Sequence, residues 1–285
     1  MLTFTFPAAD GVQIVAYRWD PHRDPVAAVQ ITHGMGEHAQ RYAHVAAALT
    51  NAGYVVYGQD HRGHGASVVA APGDLGAGGW LGLVDDIGRL SAVVRAEHPG
   101  LPLILLGHSM GSFAVQQYLL DHSADVDGVI LTGTAVIDLL EPALDLDQPL
   151  DLTIFNAAFQ PARTDYDWLS RDESVVDAYV ADPLCGFGID TRSAKTMFVG
   201  ARRLADPAQL AGLRDSLPIY IAVGELDPAH GGLTLLHPLT ERLKDAGLTD
   251  VTVVTYPDAR HEILNETNSA EVIRALIAWT DRVTR

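Results

Sequence analysis

The chain has 285 residues, 48% of them hydrophobic, enough for a large core and for one α/β domain carrying an insertion. Its 36 acidic and 19 basic residues give a formal net charge of −17, which argues against nucleic acid and anionic membranes as electrostatic partners. A single cysteine, Cys185, precludes an intrachain disulfide and points to a reducing, cytoplasmic setting; no signal-peptide pattern opens the sequence and no apolar run is long enough to span a bilayer.

Residues 2–6 and 12–19 predict two short strands around Asp10-Gly11, a hairpin turn signal. Val26–Thr32 predicts the next strand, running straight into His33-Gly34-Met35-Gly36-Glu37-His38. A helix containing Ala47, Ala48 and Leu49 follows, ended by Asn51-Ala52-Gly53. Tyr54–Tyr57 predicts a strand that leads into Asp60-His61-Arg62-Gly63-His64-Gly65-Ala66-Ser67. Trp80, Leu83, Val84, Ile87, Leu90 and Val94 mark a long amphipathic helix.

Leu103-Ile104-Leu105-Leu106 is a continuous apolar run, as in a strand buried on both faces of a sheet. Gly107-His108-Ser109-Met110-Gly111 follows as G-x-S-x-G, and Met110, Phe113, Ala114 and Tyr118 then fall at helical spacing. Strand, G-x-S-x-G and helix together are the context of a nucleophile elbow. Ser109 projects from such a turn at a helix N-terminus, where backbone N–H groups stabilise a developing oxyanion. Val129–Leu131 predicts the sixth strand. This alternation predicts a mainly parallel sheet with helices on both faces and an antiparallel start.

From Val136 to Ser216 the sequence reads helical and loop-rich, with helices predicted over Glu173–Val180 and Ser193–Leu204. The α/β pattern resumes with a strand over Ile219–Val223, a helix around Leu235–Leu243, a last strand over Val251–Thr255 and a closing helix over Val272–Val283. The middle segment therefore reads as an insertion into one domain.

A serine hydroxyl needs a base within reach, and the base needs a carboxylate to fix its tautomer and stabilise its cation. In an open parallel sheet, reactive groups collect past the carboxyl ends of the strands. Ser109, Asp227 and His261 sit at three such ends, in the order Ser, acid, His that belongs to α/β-hydrolases. Glu225 and Asp258 compete for the acid's place; Glu225 is nearer the strand end, whereas Pro228 fixes the turn after Asp227 and favours Asp227. His261 lies alone between the last strand and the last helix, while His230 and His237 read as solvent-facing or locally bonded.

Five segments carry a resemblance: His33-Gly34-Met35-Gly36-Glu37-His38, Asp60-x-Arg62-Gly63-x-Gly65-x-Ser67, Gly107-His108-Ser109-Met110-Gly111, Gly224-x-x-Asp227 and His261-Glu262. In that order and over nearly the whole length, the chain resembles the monoacylglycerol lipase and lysophospholipase-like branch of the α/β-hydrolase superfamily. The resemblance implies Ser109 as nucleophile, Asp227 as acid and His261 as base. It implies an oxyanion hole from the backbone N–H groups of Met35 and Met110, and substrate contacts at His33, Gly34 and His108. It divides the chain into an α/β-hydrolase core, 1–135 and 217–285, and a helical cap, 136–216, inserted after the sixth strand. A methionine at position 35, where relatives often have alanine, is expected to narrow the acyl side of the pocket.

His33, His38, Asp60, His61 and His64 also read as a set of metal ligands. The resemblance explains both loops without a metal, so neither metal nor cofactor is expected. The expected partner is a small acyl ester: a monoacylglycerol, a lysophospholipid or a similar monoester of medium or long acyl chain. Residues 136–216 hold 14 acidic and 7 basic residues. A segment that docks on anionic lipid is usually basic or strongly apolar, so an esterase acting on small or dispersed esters is expected.

Overall fold

A computed structural model describes residues 1–285. β1 (Leu2–Pro7) and β2 (Gln13–Trp19) form an antiparallel hairpin around Asp10-Gly11. β3 (Ala28–Thr32), β4 (Val55–Gln59), β5 (Leu103–His108), β6 (Gly128–Thr132), β7 (Ile219–Gly224) and β8 (Val251–Tyr256) complete one sheet in the order β1-β2-β4-β3-β5-β6-β7-β8. β2 joins β4 antiparallel, and every pairing from β4 to β8 is parallel. The sheet is thus mainly parallel with an antiparallel start, as the strand pattern predicts. Strand order reverses between β3 and β5, and open α/β sheets bind ligands at the carboxyl ends beside such a reversal.

Eight helices accompany the strands: α1 (Ala43–Ala52), α2 (Gly79–Glu97), α3 (Met110–His122), α4 (Glu173–Ala181), α5 (Thr191–Arg203), α6 (Pro207–Leu210), α7 (Leu236–Asp245) and α8 (Ser269–Thr284). α1 and α8 pack on one face of the sheet, and α2, α3, α5 and α7 on the other. β5 shows why its first four residues are apolar. Leu103 and Leu105 belong to the core under α2 and α3, Ile104 and Leu106 to the core under α1 and α8, and all four are fully buried. Each such side chain contributes about 1.5–3 kcal/mol by leaving water.

Element ends differ from the sequence reading by a few residues, and the first turns of two helices show why. α5 starts at Thr191 rather than Ser193, because the Asp190 carboxylate accepts the Ser193 N–H (2.9 Å) and closes the first turn. α8 starts at Ser269 rather than Val272; its first turn is polar, so no apolar periodicity announces it. Residues 133–218 contain no strand. The connection begins with short 3-10 turns up to Phe159 and continues through α4, α5 and α6. α5 is fastened to the core by Gln117, whose amide donates to Met197 O (3.1 Å) while its oxygen accepts from the Trp80 indole (2.7 Å). No helix is long and apolar enough to cross a membrane.

Candidate active site

β5 ends at His108 and α3 begins at Met110, so Ser109 stands alone between strand and helix. Its φ of 50° and ψ of −122° are strained for a residue with a Cβ. The surroundings fix this conformation. The Ser109 N–H donates to Thr132 O on β6 (2.9 Å), and its carbonyl accepts the Ser112 N–H (2.8 Å) and hydroxyl (2.6 Å). The flanking glycines answer to close approach. A Cβ on Gly111 would strike the carbonyl oxygens of Thr32 and His33, and one on Gly107 would lie 2.8 Å from Ser112 Cα. β3, β5 and α3 meet there without room for a methyl group.

β7 ends at Gly224, and Asp227 follows in a turn continued by Pro228. Asp227 is fully buried. Its Oδ1 accepts the Ala229 N–H (2.8 Å), and its Oδ2 lies 2.9 Å from His261 Nδ1. This contact places the imidazole proton on Nδ1 and leaves Nε2 as the basic nitrogen. Burial disfavours charge on His261, but the Asp227 carboxylate outweighs it and holds the imidazole above its ordinary 6.5. Burial likewise pushes Asp227 up, and the His261 and His230 charges more than reverse that, leaving the carboxyl below its usual value. The alternative acids are placed elsewhere: Glu225 accepts from the Thr255 hydroxyl (2.9 Å), and Asp258 is a turn residue with φ 60°. His230 is buried and bonded to Gly224 O (2.9 Å), and His237 is exposed.

The loop after β3 carries Met35, whose N–H makes no hydrogen bond within the chain. Met110 opens α3, where backbone N–H groups lack helical acceptors. Glu37 shapes the loop from beneath. Its Oε1 accepts the Gly34 N–H (2.6 Å) and the Tyr42 hydroxyl (2.8 Å), and its Oε2 accepts from Arg41 (2.7 Å). Arg41 also makes a bidentate pair with Glu262 (2.6 and 2.7 Å), the residue after His261. One guanidinium therefore ties the Met35 loop to the His261 loop. Sequence reading includes Glu37 and Glu262 in its motifs without a role, and it passes over Arg41. The available signal is the spacing of four between Glu37 and Arg41.

These loops border a cavity of about 790 Å³, part of it open to solvent. Ser109, Met110, Met35, Gly34, His108 and His261 line it, together with Phe113, Ile137, Leu140, Leu144, Leu150, Leu152, Phe155, Trp168 and Met197. Its apolar lining, with a few polar groups at one end, suits a small organic ligand. Most of the apolar lining comes from the β6–β7 connection. That connection also touches the His261 loop directly: the His261 N–H donates to Trp168 O (3.3 Å), the Glu262 N–H donates to Leu169 O (2.8 Å), and the Trp168 ring lies 4.8 Å from the imidazole. Trp168 is a pocket residue that sequence reading missed, since nothing local distinguishes it from a packing aromatic.

His33, expected at the substrate, is not brought to the cavity. Its ring turns into the core, 4.2 Å from His61 and 5.3 Å from His64. Its Nδ1 donates to Gly34 O (2.7 Å) and its Nε2 accepts the His61 N–H (2.9 Å). Burial pushes His61 down to about 3 and His64 down to about 4, and lowers His33 well below its ordinary value. Asp60 is occupied by the Tyr17 hydroxyl (2.9 Å) and the N–H groups of Ala39 (2.9 Å) and Ala66 (2.8 Å). Of the five residues read as a ligand set, His33, His61 and His64 pack ring beside ring, Asp60 is held by those three donors instead, and His38 turns toward Asp182 at 3.0 Å.

Fold and relatives bear on this arrangement together. The family described as serine aminopeptidase, S33, matches residues 23–268. A monoacylglycerol lipase of Mycolicibacterium smegmatis is 32% identical over 282 residues, covering 96% of this chain and 95% of that protein. Human monoglyceride lipase is 31% identical over 186 residues, covering 64% of this chain and 60% of that protein. Among solved structures, a thermostable carboxyl esterase from Bacillus coagulans in complex with glycerol superposes with a TM-score of 0.88 at 27% identity. That match covers 100% of this chain and 99% of that one. Sheet and relatives define a carboxylic ester hydrolase of the α/β-hydrolase class. Within that class the chain belongs to the serine aminopeptidase S33 family.

Proposed function

We propose that Ser109 attacks the carbonyl of a monoester of medium or long acyl chain, with His261 as base and Asp227 as its partner. The single observation that carries this reading is the buried Asp227–His261 contact of 2.9 Å beside a strained Ser109 on the wall of an apolar cavity. His261 Nε2 takes the hydroxyl proton as the serine oxygen bonds to carbon. The tetrahedral oxyanion accepts hydrogen bonds from the N–H groups of Met35 and Met110. Collapse expels the alcohol, which receives its proton from His261. Water, activated by the same imidazole, then releases the acid. Gly34 and His108 border the reacting ester, and Met35 narrows the acyl side.

In this account the β6–β7 connection, 136–216, acts as a cap: its apolar side chains hold the acyl chain. The acidic excess of that segment favours small or dispersed esters over a lipid surface. The single cysteine supports a reducing, cytoplasmic location.

The family description raises aminopeptidase activity as a rival. That reaction needs a free carboxylate for the substrate's amino group. Three carboxylates line the cavity: Glu37 and Glu262 are both paired with Arg41, and Asp151 accepts the Thr153 N–H (2.9 Å). Only Asp151, an exposed residue, keeps a free carboxylate oxygen. A chain-length series of monoacylglycerols and nitrophenyl esters, run beside an aminoacyl arylamide, tests the proposal. The expected result is turnover of esters, best at medium or long chains, with no arylamide cleavage. Preferential arylamide hydrolysis would refute it.

A further inference from the structure

We propose that His38, Asp182 and Cys185 form a binding site for one soft divalent cation of the zinc class. It lies at the seam between the loop after β3 and the turn that follows α4. A nitrogen, an oxygen and a sulfur donor, one from each residue, lie within 4.8 Å of one another. His38 Nε2 is already 3.0 Å from Asp182 Oδ2.

The turn sets up the other pair. The Cys185 N–H donates to Asp182 O (3.1 Å), and the Leu184 N–H donates to Asp182 Oδ1 (2.8 Å). Asp182 and Cys185 thus share one tight turn, and Oδ2 remains for His38 or for a metal. The donor set of imidazole, carboxylate and thiolate suits zinc and its cobalt and cadmium analogues, and not magnesium or calcium. Zinc bonds of about 2.0–2.3 Å place tetrahedral ligand atoms roughly 3.3–3.8 Å apart. Side-chain rotation of an ångström or so closes the present spacing. Three protein ligands leave the fourth position to water.

Charge around the site favours a dication. Asp182 is a direct ligand, and Glu37 and Glu262 are close behind; the nearby cation is Arg41, which those two carboxylates already engage. The cation binds by displacing the thiol proton of Cys185 to solvent as the metal–sulfur bond forms.

The cation would reinforce a seam that already exists. Gly36 O accepts both the Gly186 N–H (2.9 Å) and the Tyr179 hydroxyl (2.9 Å). A bound ion would fasten the Met35 loop to the end of α4 at a second point. It would also stabilise the native state, because the unfolded chain holds no such cluster.

Cobalt(II) titrated into the full-length protein at neutral pH is the test. Cys185 is the chain's single cysteine, so a near-ultraviolet thiolate-to-cobalt band reports on this site alone. The expected result is one equivalent of cobalt, a band that zinc displaces, loss of the band in Cys185→Ser, and in His38→Gln an affinity reduced by at least the roughly 10–100-fold that losing even an outer-shell partner costs. Circular dichroism of both variants shows that they fold. No band in the wild-type protein, or wild-type affinity in His38→Gln, would overturn the proposal. Hydrolysis does not enter the readout, so the outcome is independent of the ester reading.

Discussion

At the scale of single residues, the Asp227–His261 pair sets two opposed pH dependences. His261 is raised above 6.5, so its contribution to stability is complete below 6.5 and is lost as pH rises through the raised value. Asp227 is held below 3.8, so its contribution is present above 3.8 and is lost as pH falls through the lowered value. The pair therefore stabilises most between about 4 and 6.5. The proposed role of His261 as base requires the opposite state, a neutral imidazole. kcat/KM is expected to rise with pH through one apparent pKa above 6.5. In Asp227→Asn the burial penalty on His261 loses its largest opponent, so that inflection moves to lower pH, and kcat falls about 10⁴-fold. A pH–rate profile of both proteins measures this; an unmoved inflection would break the assignment of Asp227.

At the scale of elements, Arg41 is the joint of the site. It stands on the 3-10 turn before α1 and reaches Glu37 in the loop just before that turn and Glu262 across the molecule. Replacement by alanine leaves two buried carboxylates unpaired and is expected to cost about 3–5 kcal/mol, read as a lowered urea midpoint. Arg41→Lys keeps the charge and loses the two-pronged geometry. Its expected effect is a fall in kcat larger than any rise in KM, because the Met35 and His261 loops lose their mutual alignment while the apolar cavity stays. Equal kinetics in Arg41→Lys would mean that charge alone suffices. This joint also marks where sequence reading stops. Ser109, Asp227 and His261 are legible because each follows an apolar run that announces a strand, and strand ends converge. Arg41 and Glu262 are 221 positions apart, and no periodicity links them. His33 fails for a related reason: its place beside Gly34 is legible, but the direction of its ring depends on His61 and His64 from another loop.

At the scale of the whole molecule, the site exists only as a convergence. The loops after β3, β5, β7 and β8 bring Met35, Ser109, Asp227 and His261 to one end of the sheet, and the β6–β7 connection lays its apolar side chains over them. Core and connection are continuous, because Met197 and Phe198 of α5 belong both to the main core and to the cavity wall. On the proposed reading, the reactivity of Ser109 is therefore a property of the fold. Labelling with a fluorophosphonate, with the modified peptide mapped by mass spectrometry, tests this most directly. The account predicts one label per chain at Ser109 in the folded protein, and none in Ser109→Ala or in urea-unfolded protein. Labelling of Ser109→Ala to the same extent as the wild type would contradict it.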